Sequence, residues 1–329
     1  GWIDEQEAGR YRLLRGPSRA VFAHTVGPQG WKRVFFPPNQ TLWGGEREGD
    51  GFTIEPTKIV VKPTALIGVR ACELAAIAIQ DRIFMEDAYI DRGYAGRRAA
   101  SFIVAVNCGR AAATCFCASM GTGPQAGPGY DLALTELCED DRHDFVVDAG
   151  TERGAKLLAK LPRRPASPAD LEAAAAVVGR AAASQVRAMP PEAEAILKEQ
   201  LESPRWAAVA QRCLACTNCT LVCPTCFCST VEDVSSLDGK HFERNRRWDS
   251  CFTLGHSYIH GGSVRRDTAS RYRQWLTHKL AFWHDQFGTS GCTGCGRCIA
   301  WCPAAIDLTE EVAALAADRT LPTTDGESP

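Results

Sequence analysis

Sixteen cysteines stand in a chain of 329 residues, and eight of them form two runs of identical spacing. The first is Cys213-x2-Cys216-x2-Cys219-x3-Cys223 followed by Pro224; the second is Cys292-x2-Cys295-x2-Cys298-x3-Cys302 followed by Pro303. Three thiolates spaced in this way can wrap three corners of one iron–sulfur cubane. The fourth sits on an outgoing helix, which the proline helps to start, and points away from that cubane. This is the bacterial ferredoxin run, whose fourth cysteine serves the other cluster. The spacing therefore predicts two [4Fe–4S] clusters, one held by Cys213, Cys216, Cys219 and Cys302 and the other by Cys292, Cys295, Cys298 and Cys223. The competing reading is structural zinc. Zinc sites, however, pair two C-x2-C units that close a tetrahedron, which two complete runs ending in Cys-Pro do not resemble.

A second group of cysteines is less regular. Thr114-Cys115-Phe116-Cys117 recurs as Thr225-Cys226-Phe227-Cys228. Cys72 and Cys108 each follow an apolar run that reads as a parallel strand. Neighbouring strands would bring both thiols to the carboxyl edge of one sheet, where α/β sheets bind ligands. Cys72, Cys108, Cys115 and Cys117 thus form a candidate third cluster site, against the alternative that the first two are small buried apolar residues. Cys226, Cys228 and Cys251 form a candidate fourth site that lacks a ligand, with Cys138 and His241 available from the sequence. Cys138 otherwise reads as structural. His256 and His260, four apart, could share a helix face, but packing or surface placement explains them as well. The glycines of Gly121–Gly127 lack dinucleotide-loop spacing and read as a turn supporting Cys115 and Cys117. Arg244, Arg246, Arg247, Arg265 and Arg266 read as a solvated face or the lining of a docking surface.

The elements that position these residues suggest an α+β chain in which an N-terminal α/β domain precedes a mostly helical dicluster ferredoxin domain. In residues 1–160, short apolar runs at Ile59–Val61, Ala65–Val69, Phe102–Val106 and Phe145–Val147 flank an amphipathic stretch at Glu73–Phe84, the order of a βαβ unit. Residues 161–203 read as a Pro/Arg/Ser linker followed by Ala- and Glu-rich helices. Residues 204–318 hold both runs, separated by 68 residues (224 to 291). The end of that insert reads as helix over Ser270–Phe287, and a closing helix over Leu308–Ala317 takes Thr309 as its N-cap. Residues 319–329 read as a disordered tail.

Composition narrows the function. Hydrophobic residues make up 45% and formal net charge is -2, so the chain can bury a core and has no basic excess for phosphate backbones. No apolar run reaches the ~18–20 residues of a membrane helix, and no signal peptide is visible. A cytoplasmic location, where thiols stay reduced, is the expectation.

Further motifs resemble a known family. Gly68-Val-Arg-Ala-Cys-Glu-Leu74, Asn107-Cys108, Cys115-Phe-Cys117 with Ser119-Met-Gly-Thr-Gly-Pro124, and Tyr130-Asp-Leu-Ala-Leu-Thr-Glu136 look like the iron–sulfur β subunit of cytosolic nickel–iron sulfhydrogenases. The iron–sulfur electron-transfer component of anaerobic sulfite reductase belongs to the same group. Cys223-Pro-Thr-Cys-Phe-Cys228, Trp248-Asp-Ser-Cys251 and Cys292-x2-Cys-Gly-Arg-Cys298 continue the likeness, which runs from about Pro37 to Val312. The resemblance implies a non-catalytic electron-transfer role between the hydrogenase small and large subunits and a flavin- and NAD(P)-binding diaphorase subunit. The alternative is the same role beside the sirohaem protein of a sulfite reductase. A third reading, an enzyme with a catalytic N-terminal cluster, needs an open iron site, whereas four thiols at Cys72, Cys108, Cys115 and Cys117 would close it.

Overall fold

The computed structural model describes residues 1–86, 88–139 and 142–319. It opens with an antiparallel hairpin, β1 (Trp2–Glu7) and β2 (Arg10–Arg15). This hairpin packs on the C-terminal part of the chain: the Gly9 amide donates to the Ile299 carbonyl at 3.0 Å, and Tyr11 stacks on Trp301. A second hairpin follows, β3 (Asn39–Glu48) and β4 (Gly51–Pro56).

The βαβ unit is present. Strand β5 (Thr64–Arg70) leads into helix α1 (Ala71–Met85), then α2 (Arg92–Ala99) and strand β6 (Ser101–Val106). Strands β5 and β6 pair in parallel, β6 pairs in parallel with β7 (Leu132–Glu139), and β8 (Arg142–Ala149) closes the sheet antiparallel to β7. The run Ile59–Val61, expected as a strand, joins no sheet and is an exposed connection; Pro63 restricts the residue before it and cannot donate to a ladder. One apolar core forms here from Phe35, Phe36, Leu66, Val69, Leu74, Ile77, Tyr94 and Ile103, with Phe227 and Trp248 packed against it.

The rest is mainly helical: α3 (Pro168–Ala183), α4 (Ala193–Glu199), α5 (Arg205–Arg212), α6 (Thr268–Thr277), α7 (Trp283–Phe287) and α8 (Leu308–Arg319). Ser167 caps α3, accepting from the Asp170 amide, while Asp170 accepts from the Ser167 amide. This capping box lies at the end of the expected linker. Asp307, not Thr309, caps α8, since its carboxylate accepts from the Thr309 amide at 2.9 Å. A second core joins these helices through Leu197, Leu276, Leu280, Ile299, Leu308 and Leu315, each contributing about 1.5–3 kcal/mol by burial. Between α6 and α7 the helix widens into a π turn over His278–Phe282.

The insert between the cysteine runs is not all helix. Strands β9 (Ser229–Ser235) and β10 (His241–Trp248) form a hairpin, and β10 pairs with β3 to give a sheet of order β4-β3-β10-β9. Their exposed faces carry cross-strand ion pairs, Arg244–Asp233 and Arg247–Glu232. These charges hide the strands from a reading based on apolar alternation. The same pairs give two of the arginines a local partner, and Arg246 pairs with Asp91. The expected tail falls, beyond Arg319, outside the described residues.

Candidate iron–sulfur sites

The first run leaves α5 at Cys213 and turns sharply. Ala215 and Thr217 take left-handed backbone conformations (φ 48° and 70°), and the second run places Gly294 and Gly296 in the same two positions (φ 61° and 72°). The runs thus share one backbone fold around their thiols. Glycine is required in the second because it packs on the first T-C-F-C segment. A Cβ on Gly294 would lie 2.7 Å from Cys117 backbone atoms, and one on Gly296 would overlap the Thr114 carbonyl. The Phe116 amide donates to the Gly294 carbonyl at 2.9 Å.

Cys213, Cys216, Cys219 and Cys302 line one cavity, walled by Phe252, Tyr272 and Trp275 (site I). The fourth cysteine of the second run therefore stands among the first three of the first run. Backbone amides aim at these sulfurs, Ala215 at Cys213 and Ile306 at Cys302, each at 3.4 Å. Reciprocally, Cys223 is an electrostatic neighbour of Cys292, Cys295 and Cys298 (site II). Here the Gly294 amide approaches Cys292 at 3.4 Å, and the buried Lys279 ammonium approaches Cys223 at 3.3 Å.

Arg70 stands opposite Val106 in the parallel register, so Cys72 and Cys108, each two residues further on, leave the sheet side by side. They line a cavity with Cys115 and Cys117, walled by Arg70, Arg110, Gln185, Arg297 and Cys295 (site III). The Gly121–Gly127 turn supports it: the Thr122 amide donates to the Cys117 carbonyl, the Cys108 amide donates to the Pro124 carbonyl, and Gly123 has little room for a Cβ beside the Cys117 sulfur. Gln185 donates to the Cys117 sulfur at 3.2 Å.

Cys226, Cys228 and Cys251 gather next to site II (site IV). Cys226 contacts Cys223, and Cys228 contacts Cys251. Neither expected fourth ligand is there. His241 begins β10 and faces the exposed Glu46, about 23 Å of strand from Trp248, the end of β10 that leads on to Cys251. Cys138 lies on β7 opposite His143, in the other sheet, with its sulfur against Ser18. His256 and His260 do not share a helix face: His256 sits in a single 3-10 turn, Gly255–Ser257, and His260 lies in the turn beyond it.

The donor chemistry fits clusters rather than single ions. Among the described residues no three His, Cys, Asp or Glu close on one metal ion, as a tetrahedral zinc site requires; the thiols of sites I and III instead surround cavities. Burial pushes the Cys292 thiol up to about 12 and the Cys117 thiol up to about 11. Such thiols give up their protons only when a cation takes the thiolate. Two features stayed invisible in sequence. Lys279 donates to Thr225 Oγ1 and the Gly291 carbonyl beside Cys223. A buried Arg297–Glu73 ion pair stands between sites II and III. Nothing in the sequence sets Lys279 apart from surface charges, and although Glu73 and Arg297 stand in family-like motifs, nothing there shows that they pair.

A family model for a 4Fe-4S dicluster domain matches residues 212–306, which contain both four-cysteine runs. Over 249 residues the chain is 33% identical to sulfhydrogenase 2 subunit beta of Pyrococcus furiosus, covering 74% of this chain and 71% of that relative. The chain belongs to the iron–sulfur β-subunit family of sulfhydrogenases. No solved structure matches it. In this β-subunit chain the dicluster match spans sites I, II and IV and stops short of site III, whose cysteines all precede residue 212. Its chemistry is that of [4Fe–4S] electron transfer. No helix among the described residues is long and apolar enough to cross a membrane.

Proposed function

We propose that this chain relays electrons through four [4Fe–4S] sites, between a nickel–iron hydrogenase unit and a flavin- and NAD(P)-binding diaphorase subunit. Cys213, Cys216, Cys219 and Cys302 would hold the cluster of site I, and Cys292, Cys295, Cys298 and Cys223 that of site II. Cys72, Cys108, Cys115 and Cys117 would hold that of site III, and Cys226, Cys228 and Cys251 three corners of that of site IV. Bound clusters supply one-electron carriage; the protein supplies position, dryness and tuning.

The observation that carries this reading is the contiguity of the four thiol groups. Cys295 of site II is part of the wall of site III, Cys298 of site II reaches the wall of site I, and Cys223 of site II contacts Cys226 of site IV. Every site therefore abuts site II. Amide groups, Gln185 and Lys279 are arranged to stabilise charge on the sulfurs, and the buried Phe252, Tyr272 and Trp275 shield the inner side of site I.

The reading is tested by anaerobic purification of the tagged chain from its own cells. Expected are a copurifying flavoprotein, a nickel-containing protein, and bleaching of the brown 400 nm band by NAD(P)H. A sirohaem protein in place of nickel would transfer the role to a sulfite reductase-type complex. Substrate turnover by the isolated chain would overturn the relay reading.

A further inference from the structure

Site IV has three cysteines, and a closed cubane needs four ligands. The remaining thiol, Cys138, lies in another sheet. His256, by contrast, is an electrostatic neighbour of Cys228, to whose carbonyl the Asp249 beside it is tied by its amide. The His256 Nδ1 lies 3.1 Å from Asp249 Oδ2. Asp249 is itself fixed: its other oxygen accepts from the Ser250 amide and from Thr253 Oγ1, each at 2.7 Å, and its own amide donates to the Cys228 carbonyl at 2.9 Å. A carboxylate that takes the proton on Nδ1 sets the tautomer and leaves the Nε2 lone pair free. Metal-ligating histidines are typically held in this way. A second histidine, His278, is near Cys228, but its ring packs on Trp283 with 5.1 Å between centroids, and no carboxylate is hydrogen-bonded to it among the described residues.

We propose that His256 is the fourth ligand of site IV, binding iron through Nε2 in a Cys3His set with Cys226, Cys228 and Cys251, and that Asp249 is its positioning residue. This rests on the reading that site IV holds a cluster. Only four residues separate Cys251 from His256, and Asp249 couples the histidine to the Cys228 backbone. Replacing one thiolate by a neutral imidazole removes a negative charge from the site, so this cluster is easier to reduce than its all-cysteine counterpart.

The test uses the full chain, purified anaerobically, with iron and sulfide counts and pulsed EPR of the reduced protein, grown with ordinary or 15N-labelled histidine. Expected is about sixteen iron per chain, four per cubane, and a histidine-nitrogen hyperfine coupling of a directly bound ligand. H256C should keep the iron, lose that coupling and lower the midpoint potential of one cluster. H256A should lose about a quarter of the iron, with partial rescue by imidazole, and D249N should weaken the coupling while H278A leaves it intact. Full iron without the coupling in the wild type, or a coupling that survives H256C, would overturn the assignment to His256. About twelve iron, unchanged when Cys226, Cys228 and Cys251 are replaced by serine, would instead overturn the cluster at site IV itself and the inference with it.

Discussion

Lys279 is the charge whose removal should be felt most directly in electron transfer. It is 5% exposed, on the π turn of the helix that precedes the second run. Its ammonium lies 3.3 Å from the Cys223 sulfur, 3.0 Å from Thr225 Oγ1 and 3.1 Å from the Gly291 carbonyl. Burial alone would lower its pKa, but the neighbouring Cys223, Cys226 and Cys292 outweigh that and hold it well above the usual lysine range. It therefore remains a cation. At an effective dielectric of about 20, a unit charge on the sulfur 3.3 Å away would be stabilised by about 5 kcal/mol, and spreading the charge to twice that distance leaves about 2.5 kcal/mol. For a one-electron couple, 59 mV corresponds to about 1.4 kcal/mol, so K279M should lower the site II potential by roughly 100 mV. K279R should leave it within a few tens of millivolts. The fold should tolerate the loss, because Thr225 Oγ1 still donates to the Gly291 carbonyl at 2.7 Å. The assay is an EPR-monitored redox titration with iron counted in parallel. A K279M protein with full iron and an unmoved or raised potential would refute the reasoning.

The crossed ligand sets predict that C302A damages the cluster of site I and spares that of site II; spectra showing the reverse loss would reject the pairing. G296A should disrupt both site II and the neighbouring T-C-F-C segment, since a Cβ there overlaps the Thr114 backbone. Iron content should fall by more than one cluster, and a variant with wild-type iron would contradict the packing. E73Q breaks a buried pair whose partners, Glu73 and Arg297, are 1% and 6% exposed, at a cost of about 3–5 kcal/mol. Urea unfolding followed by loss of cluster absorbance should show it, and a change under about 1 kcal/mol would mean that the pair is not structural.

The cysteine runs are legible in sequence because ligation fixes spacing, and spacing survives in one dimension. The βαβ unit is legible because Ala65–Val69 and Phe102–Val106 are continuous apolar runs, even though Ala65 and Ile67 are exposed and only Leu66, Val69, Ile103, Ala105 and Val106 enter the core. Strands β9 and β10 fail this test, because their stability comes from cross-strand pairs such as Arg244–Asp233 and from joining β3, nearly two hundred residues earlier. The cap of α8 lies two residues before the expected Thr309, at Asp307, the better capping residue of the two. For site IV the sequence could supply only histidines and a spare cysteine. Both His256 and His241 have a carboxylate at Nδ1; what singles out His256 is its place beside Cys228, a relation of three dimensions.

The buried cations are distributed unevenly among the thiol sites. Lys279 stands between sites II and IV. Lys32, itself buried, reaches toward Cys226, Cys223 and Cys228 from the other side, stacking over Trp248 and donating to the carbonyls of Thr220 and Leu221. Arg297 stands between sites II and III. Among the described residues, site I is lined instead by Phe252, Tyr272 and Trp275; its one buried cation, Arg271, acts weakly on Cys213 while donating to the Arg265 and Arg266 carbonyls, and Cys216 is the one exposed cysteine. Each buried cation favours the reduced, more negative state of its neighbour, so sites II, III and IV are drawn to higher potential than an apolar wall alone would set. An electron arriving at the solvent-facing edge of site I would thus fall inward toward site II, the site that touches all the others. The ion pair of Arg297 with Glu73 moderates that pull at site III while leaving Lys279 uncompensated by any carboxylate in direct contact. Because Lys279 and Lys32 each act on both Cys223 and Cys226, they raise sites II and IV together, and the steepest step of the proposed relay would lie between site I and site II.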